Sequence, residues 1–143
     1  MAKVLSLNTS ETKGVFKIPT EEVMFIEDFG IEDDAHAGKW HRQVSLLASE
    51  SIDKMIRKGG TGLTPGKFGE NMTTEGIELY TLPVGTVLKI GVTIQEVTQI
   101  GKECHHGCAI KAQVGDCVMP REGIFTKVIK GGIVKVGDSI ELV

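Results

Sequence analysis

Residues 101–117, GKECHHGCAIKAQVGDC, hold all three cysteines of the chain and two of its four histidines. Such residues could cage a metal, close a disulfide or present a reactive thiolate. For zinc, Cys104, Cys108 and Cys117 with His105 or His106 would supply four soft ligands. Structural zinc sites usually gather their ligands as two close doublets, whereas the spacing here is x3 and then x8. A disulfide is disfavoured by compartment and by parity. The start, MAKVLSLNTS, lacks the apolar core and cleavage site of a signal peptide, which points to the reducing cytoplasm, and an odd cysteine is left over. A reactive thiol has better local support, because Lys102, His105 and His106 beside Cys104 would favour its thiolate. Cys108, next to Gly107 and Ala109–Ile110, reads as a small buried hydrophobe, and Asp116 disfavours a thiolate at Cys117.

Two further stretches carry chemistry-bearing types. DDAHAGKWHRQ (33–43) packs two acids, His36, His41, Lys39 and Arg42 around Trp40. The histidines are five apart, which is not the i, i+4 spacing that sets two imidazoles on one helical face. An anion pocket fits better: Arg42 can fork onto a phosphate or carboxylate and Lys39 adds a point charge. The plainer alternative is a solvated loop anchored by Trp40. In LTPGKFGENMTTEG (63–76), glycines bracket Phe68 and the pair Glu70–Asn71. Such a loop lets backbone approach a ligand, and the Asn71 amide can read a heterocycle through its donor and acceptor. The GKS or GKT ending of a phosphate-binding P-loop is absent, and an ordinary turn would also account for the composition.

The elements that must position these residues are mostly strands. Eighteen glycines lie between short β-branched runs. VLSLN (4–8), GVFKIP (14–19, stopped by Pro19), VMFI and QVSLLA (43–48) read as strands, as do LYTLPVGTVLKIG, VTIQEVTQI and GIFTKVIKGGIVKVGDSIELV. The last is expected to turn as a hairpin at Gly131–Gly132, with Ile124, Val128, Ile133, Val134 and Val136 inward. One helix is expected over ESIDKMIRK, with Ser49 as N-cap, Ile52, Met55 and Ile56 on one face at helical spacing, a Glu50–Lys54 surface pair and a stop at Gly59–Gly60. Half a dozen or more strands and one helix favour a mainly β fold, a small barrel-like domain spanning residues 1–143. The net charge of −3 argues against a generic nucleic-acid binder. No apolar run approaches the roughly 18 residues of a membrane span.

Taken in order, DDAHAGKWHRQVSLLA, LTPGKFGENMTTEGIELYTLPVGTVLKIG and VTQIGKECHHGCAIKAQVGDCVMPREGIFTKVIKGGIVKVGDSIEL resemble the MOSC family. That domain forms the C-terminus of molybdenum-cofactor sulfurases and also occurs as small stand-alone bacterial proteins. The resemblance implies a β-rich, barrel-like fold and one cysteine that carries sulfur as a persulfide for metal–sulfur sites. In many relatives this cysteine follows a Pro-Arg-x-Pro element. IGKE stands there here, and an ungapped count puts the cysteine at Cys104, with Cys108 the alternative and Lys102 and His105 beside it. The resemblance further implies a molybdenum cofactor (molybdopterin), its phosphate met by Lys39, His41 and Arg42 and its ring by Glu70 and Asn71, with His36 a further binding residue. Full-length sulfurases draw sulfur with a pyridoxal-phosphate domain for which this length leaves no room. A separate donor such as a cysteine desulfurase, and a molybdoenzyme or cofactor-biosynthesis protein as recipient, are therefore expected partners, with no nucleic acid and no membrane. The alternative is a non-catalytic molybdopterin-binding or docking protein without sulfur transfer.

Overall fold

The computed structural model describes residues 2–13, 15–101 and 118–143. Among them, β1 (Lys3–Thr9), β2 (Ile18–Thr20), β3 (Glu22–Ile26), β4 (Gly30–Ile31) and β5 (Val44–Ala48) precede α1 (Ser49–Arg57). Then come β6 (Met72–Glu75), a 3-10 turn (Leu79–Thr81), β7 (Val87–Ile90) and β8 (Thr93–Ile100). A short α2 (Met119–Glu122), β9 (Ile124–Lys130), β10 (Gly132–Lys135) and β11 (Ile140–Leu142) complete the mainly β chain. No helix among the described residues is long and apolar enough to cross a membrane.

Eight strands form one sheet in the order β11-β7-β8-β9-β5-β6-β1-β2, and β10-β3-β4 form a second. Both sheets contribute to one core, with Leu7, Leu46, Leu88, Val97 and Ile124 from the first meeting Phe25, Ile31 and Val134 from the second. Alternation explains the half-buried strands. In β3, Val23 and Phe25 are buried while Glu22, Met24 and Ile26 are exposed. β5 is buried along its whole length, because it has a core on each side. Leu46 joins the main core, and Leu47 joins a second cluster with Ile52, Met55, Val118, Met119 and Phe125. β5 and β6 run parallel, joined through α1, and the other pairings between strands are antiparallel.

The large sheet is not closed into a barrel by a continuous ladder. It curls until the start of β1 meets the approach to β11: the Val4 amide donates to Asp138 O at 2.8 Å and the Gly137 amide to Val4 O at 2.8 Å. One isolated bridge, Lys3 to Ser139, completes this seam.

Several local expectations are corrected. Pro19 does not stop a strand; it lies inside β2, an edge strand where its missing N–H costs no ladder bond, and residues 15–17 are not in a strand. LYT is a 3-10 turn, tightened by Thr81 Oγ1 donating to Glu78 O at 2.8 Å. β5 runs through Ala48, so Ala48 is the N-cap of α1 and Ser49 makes no cap bond. Ile56 is exposed, and Lys54 turns from Glu50 to Glu122, its ammonium 2.9 Å from Oε1. Gly59, at φ +102°, does end the helix as expected. β10 leaves β9 to pair with β3, so Gly131 is a corner between sheets and no hairpin forms. Ile133 and Val136 are consequently exposed, while Ile124, Val128 and Val134 are buried.

Candidate anion-binding site

A cavity of about 250 Å³ opens where four stretches of chain converge. His36 and Arg42 come from the loop before β5, Ser45 from β5, and Lys67, Phe68 and Gly69 from the loop before β6. Val15 and Phe16, Met119 of α2 and Phe125 of β9 complete the lining.

Arg42 is held between rings. Its guanidinium carbon lies 4.7 Å from the Trp40 ring centroid and 5.7 Å from that of Phe125. Trp40 is fixed in turn by its indole N–H, which donates to His36 O at 2.9 Å. The rings stabilise the cation without taking its protons. Arg42 Nε is buried with no hydrogen-bond partner. A buried donor left unmet costs about 1–3 kcal/mol, so the site favours a ligand that supplies an acceptor. Lys67 adds a second cation, its ammonium 4.5 Å from the centroid of Phe16.

Behind His36 lies a buried ion pair. Lys17 Nζ is 2.8 Å from Asp34 Oδ1, and both side chains are fully shielded from solvent. The same ammonium contacts Ser10 Oγ and His36 Nδ1, each at 3.0 Å. Asp34 accepts from the Ser10 amide at 3.1 Å and, through Oδ2, from the His36 amide at 3.1 Å. Burial opposes ionisation of Asp34, but the Lys17 hydrogen bond and charge, with the Ser10 amide and the Asn71 side chain, outweigh it and hold its carboxyl below the usual 3.8.

Glu70 and Asn71 are wholly buried and tie the loop before β6 to β5 and β1. Asn71 Oδ1 accepts from the Ser45 amide at 3.0 Å and its Nδ2 donates to Asn8 O at 3.2 Å. Glu70 Oε2 accepts from the Gly66 amide at 3.1 Å and Thr73 Oγ1 at 2.7 Å, while Oε1 is buried without a partner. Burial raises the Glu70 carboxyl above its usual 4.5, the hydrogen bonds from Thr73 and nearby amides opposing it only in part.

Of the expected cofactor contacts, His36 and Arg42 therefore line the cavity, and Glu70 and Asn71 brace the loops around it. Lys39 and His41 are exposed and outside the lining; His41 Nε2 lies 2.9 Å from Gln99 Oε1. Lys17, Ser45 and Lys67 were not anticipated. For Lys67 the available signal was a cation between the glycines of PGKFG; for Lys17 the sequence carried none.

Cys104, Cys108 and Cys117, with Lys102 and His105, lie outside the described residues. The residues that flank their segment are placed. The Gly101 amide donates to Gly123 O at 2.6 Å, and Gly101 packs so closely on the Pro120 carbonyl that a side chain there would collide with it. Gly101 thus packs against α2, whose Met119 lines the cavity. Among the described residues no group of three or more His, Cys, Asp or Glu side chains is arranged to hold a metal ion.

Known proteins give a consistent picture of the fold. The YuaD protein of Bacillus subtilis superposes with a TM-score of 0.83 at 20% identity, covering 99% of this chain and 94% of its own. YiiM of Geobacillus stearothermophilus follows at 0.75 and 20%, covering 100% of this chain and 75% of its own. YiiM of Escherichia coli gives 0.72 and 20%, with coverages of 100% and 70%. No curated protein matches the sequence significantly. The family model described as the MOSC domain matches residues 33–141, which include the loops that carry Arg42 and Lys67 and the whole cysteine segment, and the chain belongs to the MOSC domain family.

Proposed function

We propose that this chain is a cytoplasmic sulfur carrier that also holds the anionic part of a molybdenum cofactor, in the maturation of molybdoenzymes or other metal–sulfur sites. The observation that carries the reading is Arg42: a guanidinium clasped by two aromatic rings, at a cavity wall, with a buried Nε that lacks an acceptor.

The residues present fit an anionic ring compound. Arg42 and Lys67 offer two positive charges, and Phe16, Phe68 and Phe125 offer apolar faces. A volume of about 250 Å³ is below the roughly 300–1,000 Å³ of sites that enclose a drug-sized ligand, so it suits one ring or one phosphate group. A bound molybdenum cofactor would supply the metal whose sulfur ligand is exchanged. Arg42 and Lys67 would hold its negative end, and Met119 and Phe125 would exclude water beside it.

The sulfur step belongs to Cys104. Its thiolate attacks the outer sulfur of a protonated persulfide on a separate donor such as a cysteine desulfurase. The donor's S–S bond breaks, the donor leaves as a thiolate, and Cys104 carries the persulfide, with no net oxidation. Peptide-mapped mass spectrometry after incubation with a persulfide donor tests this. One added sulfur on the Cys104 peptide is expected, lost in Cys104→Ala and retained in Cys108→Ala. Undiminished uptake in Cys104→Ala would overturn the assignment.

A further inference from the structure

Building on the reading of Cys104 as a sulfur carrier that works with the anion cavity, we infer that His41 and Gln99 are positioning residues. Together they tie the loop that carries Arg42 to Gly101, the residue from which the cysteine segment departs.

The tether can be followed atom by atom. Gln99 Nε2 donates to Gly101 O at 2.9 Å, and a carbonyl can only accept, so the NH2 end of the Gln99 amide faces Gly101. Its other end, Oε1, therefore faces His41 Nε2 at 2.9 Å, and Nε2 must be the donor. The His41 carbonyl is held as well, by the Thr98 hydroxyl. Ring and backbone of the residue before Arg42 are thus both fixed to the end of β8.

A bulge makes this possible. Val97 pairs with Thr126 and Gln99 with Phe125, so Thr98 is an extra residue in β8. In a regular strand neighbouring side chains point to opposite faces, and Thr98 and Gln99 would not both reach His41. The strand partner of Gln99 completes a closed circuit, because the Phe125 ring centroid lies 5.7 Å from the Arg42 guanidinium carbon. Arg42 is therefore joined to Gln99 twice, through Phe125 and through His41.

Gly101 is held with equal care. Its carbonyl is taken by Gln99, its amide donates to Gly123 O at 2.6 Å, and its Cα packs on the Pro120 carbonyl. Cys104 follows three residues later in the sequence. Neither His41 nor Gln99 lines the cavity, so each acts through another residue, His41 through Arg42 and Gln99 through Gly101. The charge anchor of the cavity and the origin of the sulfur-bearing segment are kept in register by two side chains outside the core.

Amide hydrogen exchange in the ligand-free protein tests the tether. In His41→Leu and Gln99→Leu the Gly101 amide is expected to exchange about three- to tenfold faster than in wild type, matching the loss of one hydrogen bond. The Val97 amide, which donates to Thr86 O, should be unchanged. His41→Gln keeps a nitrogen donor at similar reach and should restore wild-type exchange. Unchanged exchange at Gly101 in both leucine variants, equal acceleration at Val97, or no recovery in His41→Gln would overturn the inference. With a persulfide donor, uptake on the Cys104 peptide should slow several-fold in the leucine variants. Uptake at the wild-type rate in Gln99→Leu would overturn the positioning role. A wild-type protein that takes up no sulfur defeats the carrier reading, while the exchange data still decide the tether.

Discussion

Asp34 and Glu70 are both buried carboxylates, and their surroundings push them in opposite directions. The Asp34 pKa is lowered, so its ion pair with Lys17 contributes stability that is fully present above the unfolded value of about 3.8 and lost as pH falls through the lower folded value. The Glu70 pKa is raised, so its contribution is greatest below about 4.5 and is lost as pH rises through the higher folded value. Urea unfolding midpoints across pH should separate the two. Asp34→Asn leaves Lys17 buried and unpaired, and is expected to cost about 3–5 kcal/mol at neutral pH, the gap narrowing below 3.8. Glu70→Gln should flatten the loss of stability above 4.5; a Glu70→Gln curve parallel to wild type would contradict its assignment as a strained acid. Arg42 and His36 were legible in the sequence because charge and aromatic side chains crowd one short loop. Lys17 was not, since a lysine is almost never fully buried and its partner lies seventeen residues on. Glu70 and Asn71 were legible as unusual, but their hydrogen bonds are spent on Gly66, Thr73, Ser45 and Asn8.

At the scale of elements, β5 and the corner at Gly131 decide where the site lies. β5 is apolar on both faces, so it can sit between the main core and the cluster under α1 and α2, with Ser45 left at the cavity. Gly131 sends the chain from the large sheet to the small one, pressed against the Phe25 carbonyl where a Cβ would clash with backbone. Gly131→Ala should therefore destabilise by about 1–3 kcal/mol, whereas an ordinary hairpin glycine with open space would tolerate the methyl group far better. Chemical denaturation checks this, and a loss near zero would contradict the corner. The strands themselves were legible from alternation and glycine punctuation. Their pairing was not: KGG between two alternating runs fits a hairpin and a sheet-to-sheet corner equally, and only the competition of β3 for β10 decides between them.

At the scale of the molecule, the site exists only because the sheet curls. Arg42, Ser45, Lys67, Phe16, Met119 and Phe125 come from four separated stretches, and the large sheet and its flanking loops bring them around one cavity. The family resemblance made the participation of the loops before β5 and β6 legible; that Lys67 lines the cavity while Lys39 and His41 do not follows from topology alone. Trp40 is the chain's single tryptophan and its ring centroid lies 4.7 Å from the Arg42 guanidinium carbon, so its fluorescence reports on the surroundings of Arg42. The most direct test is a Trp40 fluorescence titration of wild type and Arg42→Ala with molybdopterin. Saturable binding to wild type is predicted, weakened about tenfold or more in Arg42→Ala, in line with the roughly 1.5–3 kcal/mol of a hydrogen bond to a charged group. Absence of binding to wild type, or equal affinity in Arg42→Ala confirmed by calorimetry, would contradict the account.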